Sequence, residues 1–206
     1  SAASDVYKRQ INFVALLGWN TGDNREFFTL KELEKEFSIE KISKSGAVFN
    51  LEKLDWFNSY YIRALSEEQL VELTIPFILK SNLMDEKEIK IKKQWLIKAL
   101  KLEKERVNTL VELANSIGFL LELPKYENRL LIWKKSNAEE IKNIFLKLKE
   151  FLNNLSVQSF EAKNLQNKIG EWIKEKGYNN GSVLWPLRVA LSGLEKSPPP
   201  FEIAEV

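Results

Sequence analysis

The chain has 206 residues, 44% hydrophobic and 29% charged, with a formal net charge of +2; that suits a soluble protein of one large or two small domains with a real core. It has no Cys and no His, which excludes disulfides, thiolate nucleophiles, imidazole bases, Ser-His-Asp triads and ordinary transition-metal sites. No apolar run approaches the ~20 residues that span a bilayer, and residues 1–5 lack the pattern of a signal peptide, so the expected compartment is the cytoplasm, with no membrane partner.

The periodicity is helical almost throughout. Residues 1–10 do not continue the apolar pattern that starts at Ile11 and are set aside as a junction or non-native segment. Thr29-Leu30-Lys31-Glu32 reads as a capping box, with Leu30, Leu33 and Phe37 as the apolar stripe behind it. Ser45 to Phe49 reads as a short extended piece before a helix from Leu51 to Arg63. Ser66-Glu67-Glu68-Gln69 opens the next helix, with Leu70, Leu73 and Phe77 facing inward. Asp85 is placed to cap one long helix through Ile89, Trp95, Leu96 and Leu100. Another follows through Val107, Leu110, Leu113 and Ile117 and ends before Pro124.

Ser136-Asn137-Ala138-Glu139 reads as a further capping box, followed by Ile141, Ile144, Leu148 and Leu152 at helical spacing. A helix from Phe160 to Lys176 is closed by Gly177 at its C′ position. Pro186 is placed in the first turn of the next helix, where its missing N–H costs nothing. Ser197 to Pro200 is a rigid stop, and Phe201 to Val206 starts a last helix that reads as cut short. Fresh caps near Leu65/Ser66 and Lys135/Ser136 divide the chain into 11–65, 66–135 and 136–206. The fold class is mainly α.

Charge is uneven. From Lys87 to Arg106 there are eight basic residues against three acidic ones. Such a helix can neutralise phosphates; it can equally be a solvated face. Paired carboxylates such as Glu139 and Glu140 do not make a catalytic dyad, because sequence neighbours point about 100° apart on a helix.

Three segments carry a family resemblance: Ala15-Leu16-Leu17-Gly18-Trp19, Ser43 to Arg63, and Pro186 to Gly193 with Ser197-Pro198 and Phe201-Glu202-Ile203. Together they resemble the C-terminal half of a bacterial glutamate–tRNA ligase. Lys41-Ile42-Ser43-Lys44-Ser45 also resembles the K-M-S-K-S loop that holds ATP phosphates in class I synthetases. In this family that loop precedes the A-L-L-G-W segment. Lys41 follows it, so the segment matches a second, non-catalytic S-K-S-G-A-V-F-D stretch, with Asn50 in place of the usual Asp.

The resemblance implies a helical connector that touches the tRNA stem, followed by an α-helical anticodon-binding bundle. It also implies that the catalytic Rossmann domain and its H-I-G-H motif are absent from this chain. No cofactor is then expected here; ATP and magnesium belong to the full-length enzyme. The implied partners are a glutamate-accepting tRNA and the upstream catalytic domain of the same protein, in a monomer. The implied anticodon contacts are Arg106, Arg188 and Ser197. The implied backbone contacts are Lys44, Lys53 and Arg63.

Each residue also has a structural reading. Arg106 can pair with Glu103 or Glu105 on a helix surface, Arg188 can be a buried arginine holding Glu202, and Ser197 can cap the last helix. The six tryptophans can stack bases but fit core positions at helical spacing. The competing reading of the whole chain is an all-α protein-interaction scaffold without RNA specificity.

Overall fold

The computed structural model describes residues 11–23, 25–43, 49–134 and 136–206. Among these residues all regular structure is helical, apart from one isolated antiparallel bridge between Trp19 and Ile42. The Ser45–Phe49 extended piece falls almost wholly outside them.

The first region holds α1 (11–18), α2 (Leu30–Glu36) and α3 (Leu51–Ala64). Thr29 and Glu32 form the expected capping box, and Asn50 accepts the Lys53 N–H at 3.1 Å, so the asparagine at this position does cap α3. Asn12 is fully buried and bonded at both ends of its amide. Its amide donates to the Glu26 carbonyl at 2.7 Å, and its oxygen accepts the Phe28 N–H at 2.8 Å. A buried amide left unpaired would cost about 1–3 kcal/mol; paired, it ties α1 to the segment before α2. Phe27 stacks on Tyr60 of α3 at 3.7 Å and completes an aromatic layer with Trp56 and Phe57.

The second region contains α4 (Glu67–Lys80), α5 (Glu86–Ile91), α6 (Lys93–Glu103), α7 (Leu110–Ser116) and α8 (Gly118–Leu121). Ser66 and Asp85 each close a capping box. The core buries Leu70, Ile78, Leu96, Leu100, Leu113 and Ile117 to 2% exposure or less, each contributing about 1.5–3 kcal/mol. The single long helix expected after Asp85 is bent at Lys92 (φ −98°, ψ 23°). The Lys92 N–H still bonds Glu88, and its carbonyl still accepts from Leu96. Nothing in the local periodicity announces the bend: Ile89 and Leu96, seven residues apart, would share one face of a straight helix and are both buried in the bent one. The helix expected through Val107 starts later. Lys104–Arg106 is a 3-10 turn, Val107 is extended, and Thr109 with Glu112 opens α7.

The third region contains α9 (Ala138–Asn153), α10 (Ala162–Lys176), α11 (Asn180–Ser192) and α12 (Pro200–Glu205). Its core is Ile144, Leu148, Ile169, Ile173, Val183 and Phe201 with their neighbours. Two expectations shift here. The cap of α9 is Asn137, which accepts the Glu140 N–H at 2.9 Å, while Ser136 faces Ser182 at 3.2 Å. Pro186 lies inside α11, because Asn179 starts that helix earlier by accepting the Gly181 N–H at 2.8 Å. Pro186 has no N–H to offer the Ser182 carbonyl, and its ring is buried.

The two helical regions meet at a seam. Gly193 ends α11 at φ 67°, and a Cβ there would sit 2.8 Å from the Pro124 carbonyl oxygen, so only glycine fits this approach. The Trp185 indole donates to the Leu130 carbonyl at 2.8 Å. Phe201 of α12 belongs to the third-region core, while Val206 packs against the second. The last helix therefore lies across from α6.

Candidate nucleic-acid interface

A cleft of about 620 Å³ opens where α12 faces the end of α6. One wall carries Lys98, Lys101, Glu105 and Arg106; the other carries Pro198, Pro199, Glu202 and Glu205. The first wall is fastened from behind by α3 and the start of α4. Arg63 grips Glu105 at two points, Nε to the carboxylate at 3.0 Å and Nη2 to the carbonyl at 3.1 Å. The Lys104 ammonium donates to the Leu65 carbonyl at 2.9 Å, and Lys101 pairs with Glu67 at 2.9 Å. Lys98 reaches across to the Glu205 carbonyl at 3.3 Å. Half of the basic run is thus already engaged, while Lys87, Lys90, Lys92 and Lys93 are exposed.

Arg106 has its Nε 3.5 Å from Glu103, its expected structural partner. Glu103 is buried at the end of α6. Burial pushes its carboxyl above the usual range, and the Arg106 charge pulls it partly back. The alternative partner, Glu105, is taken by Arg63, from 42 positions earlier. No local sequence signal announces that contact.

The other two expected anticodon residues lie on the second wall's side. Arg188 does not line the cleft and does not hold Glu202. Its Nη2 donates to the Glu195 carbonyl at 2.7 Å, and its guanidinium lies 4.6 Å from the Trp185 ring centre. Trp185 in turn packs on Trp133 at 5.0 Å. A Cβ on Gly181 would collide with the Trp133 indole, so that glycine lets the ring lie against α11. Ser197 is 5% exposed and donates weakly to the Pro198 carbonyl at 3.4 Å. It does not cap α12, whose N-cap is Pro199; it precedes the turn that presents Pro198 and Pro199. Of the tryptophans, Trp19 and Trp172 are core, Trp95, Trp133 and Trp185 are half-buried, and Trp56 is 43% exposed.

In the first region the Ser43 N–H bonds the Gly18 carbonyl at 2.7 Å, so two of the segments that carry the resemblance meet in space. Beside them lies a cavity of about 480 Å³ that includes Trp19, Asp23, Arg25, Ser43 and Lys53. Lys53 pairs with Glu26 at 2.8 Å. Thr21 and then Arg25 hold the Asp23 carboxyl at about 2. Lys41 donates to the Thr21 carbonyl at 3.2 Å. Lys44 lies outside the described residues. Among the described residues no cluster of acidic side chains is arranged to hold a metal ion, and no helix is long and apolar enough to cross a membrane.

Residues 69–206 match the family described as anticodon binding domain. The chain belongs to that family. Residues 3–56 match a second model, the catalytic domain of class I tRNA synthetases (E and Q), and this range takes in most of the ten residues set aside in the sequence. Within it the described residues form α1, α2 and the start of α3, with no sheet. The chain is 38% identical over 198 residues to the glutamate–tRNA ligase of Thermodesulfovibrio yellowstonii, covering 95% of this chain and 41% of that one. It is 34% identical over 191 residues to that of Alkaliphilus metalliredigens, covering 91% and 38%. The crystal structure of a glutamate tRNA ligase from Elizabethkingia meningosepticum, in complex with its amino acid, superposes with a TM-score of 0.74 at 27% identity, over 96% of this chain and 38% of that one. The chain thus spans about two-fifths of the length of the curated relatives it matches, and the matched stretch is their C-terminal part. The anticodon-binding domain contains both walls of the cleft, and α3 of the preceding region supplies the arginine that steadies one of them.

Proposed function

We propose that this chain is the tRNA-binding, anticodon-recognising part of a glutamate–tRNA ligase, an enzyme that attaches glutamate to its tRNA using ATP. The observation that carries the reading is the cleft in the anticodon-binding domain, where Arg106 faces a rigid proline turn. A guanidinium offers planar stacking and several donors, which suits the Watson–Crick edge of an unstacked base. The proposed anticodon contacts are Arg106, Arg188 and Ser197; a base reaches the Ser197 hydroxyl only if the proline turn shifts, since that residue is nearly covered.

The proposed stem contacts are Lys44, Lys53 and Arg63, which position the RNA without reading sequence. Lys53 and Arg63 are each paired with a carboxylate; a phosphate would displace Glu26 from Lys53 and would meet Arg63 at the guanidinium N–H groups that Glu105 does not use. ATP, magnesium and glutamate belong to the catalytic part of the enzyme, which is this chain's proposed partner along with the tRNA. The proposed setting is the cytoplasm and the proposed state a monomer.

The test is a titration with glutamate tRNA and with the same tRNA carrying G for C at the last anticodon base. The expected penalty for the change is about 1–3 kcal/mol, much reduced in Arg106→Ala. Equal binding of both tRNAs by the folded protein would leave only a basic surface and favour the scaffold reading.

A further inference from the structure

The cleft holds as many carboxylates as cations: Glu105, Glu202 and Glu205 against Lys98, Lys101 and Arg106. A groove that tracks phosphates has no use for carboxylates. A groove that reads a base does, because exocyclic amines need an acceptor. The three carboxylates are not equivalent. Glu205 commits Oε2 to the Ala162 N–H at 3.1 Å. Glu202 is exposed on the proline wall, with no ion pair among the described residues. Glu105 lies beside Arg106, is 68% exposed at its side chain, and is held at Oε2 and at its carbonyl by Arg63. It is an acceptor that Arg63 holds next to a donor.

We infer that Glu105 is a specificity-determining residue, whose carboxylate accepts the N4 amine of a cytosine while Arg106 donates to that base's N3 and O2. This rests on the reading of the cleft as the anticodon site. Cytosine presents one donor and two acceptors along its Watson–Crick edge. Uracil presents an acceptor, O4, where the amine stands, and a donor, N3–H, where cytosine N3 accepts, so Arg106 opposes uracil as well. An ionised carboxylate can only accept, so uracil at this place sets oxygen against oxygen and leaves Glu105 unsatisfied. Arg63 is a positioning residue in this scheme: it keeps the carboxylate beside Arg106 and stops it from closing on that arginine.

The experiment compares glutamate tRNAs carrying C, U or G at the last anticodon base, using the whole chain and its Glu105→Gln and Glu202→Gln variants. The unmodified protein should prefer C over U by about tenfold or more, the scale of one hydrogen bond to a charged group. Glu105→Gln should lower that ratio severalfold, because an amide can donate to O4 while Arg106 still opposes the uracil N3–H, and Glu202→Gln should leave it unchanged. Discrimination of C from G without discrimination of C from U would overturn the inference and leave the anticodon reading standing. So would a C-to-U ratio that is unchanged in Glu105→Gln or that falls only in Glu202→Gln. Equal binding of all three tRNAs would overturn both. A C-to-U ratio near one in the unmodified protein would overturn the inference even if a variant fails to fold.

Discussion

One wall of the cleft is fastened by side-chain charge and the other by backbone and packing. Arg106 sits on a three-residue 3-10 turn held by Arg63 of α3 on Glu105, by Lys104 on the Leu65 carbonyl and, just before the turn, by Lys101 on Glu67. The facing turn sits on consecutive prolines, behind a left-handed glycine pressed on Pro124 and ahead of Phe201 in an apolar core. Prolines lose little freedom on ordering, so the second wall is stiff whatever the solvent. Exposed ion pairs weaken as salt rises, so the first wall can adjust. A rigid surface facing an adjustable donor and acceptor suits a site that must tell one flat base from another.

The largest expected effect comes from breaking the stiff wall. Gly193→Ala puts a Cβ on a left-handed residue and drives it toward the Pro124 oxygen. The conformational term alone is about 1–2 kcal/mol, and the clash adds to it. Urea denaturation should report a loss of about 2 kcal/mol or more; a loss below about 0.5 kcal/mol would mean that the seam yields easily.

Breaking the charged wall should cost less. Lys104→Met removes the donor to Leu65 with little change in volume, and its expected cost is about 1–2 kcal/mol by the same assay. No change would show that the turn is held without it.

Glu103 sharpens the comparison through pH. Burial raises its pKa, so its contribution to stability is present below the ordinary value of 4.5 and is lost as pH rises through the raised value. Glu103→Gln lacks that loss, so its stability relative to the parent should rise as pH climbs from 4.5 toward neutrality. A pH-independent difference would contradict the burial argument.

The smallest effect on stability belongs to lysines outside both walls. Lys87→Gln with Lys90→Gln should change stability by less than about 0.5 kcal/mol. The same pair should weaken tRNA binding evenly across anticodons and lower its salt slope by roughly 1 for each phosphate that is no longer neutralised. An effect that depends on the anticodon would move base reading from the cleft to α5.

Much of the fold is legible because its signals are local. Thr29, Ser66 and Asp85 announce helix starts by an acceptor followed three residues later by Glu or Gln, and Gly177 announces an end by its freedom at positive φ. One misplacement falls where a distant atom decides. Asn137 rather than Ser136 caps α9, since Ser136 is drawn to Ser182. Two others have no such cause on view: Pro186 is buried inside α11 because Asn179 opens that helix earlier, and Lys92 bends although Ile89 and Leu96, seven residues apart, would share a face of a straight helix. Within the site, the i,i+3 pairing of Arg106 with Glu103 is readable from spacing. The grip of Arg63 on Glu105, the packing of Trp133 on Gly181 and the covering of Ser197 are not, because each joins segments that only the folded chain brings together.

The most direct test of the cleft as the anticodon site is hydrogen–deuterium exchange of the protein with and without glutamate tRNA. Peptides covering 104–109 and 197–206 should be protected together, and the tRNA with G for C at its last anticodon base should protect them less. Protection confined to α5 or to residues 11–65, with both walls exchanging as in the free protein, would contradict the account.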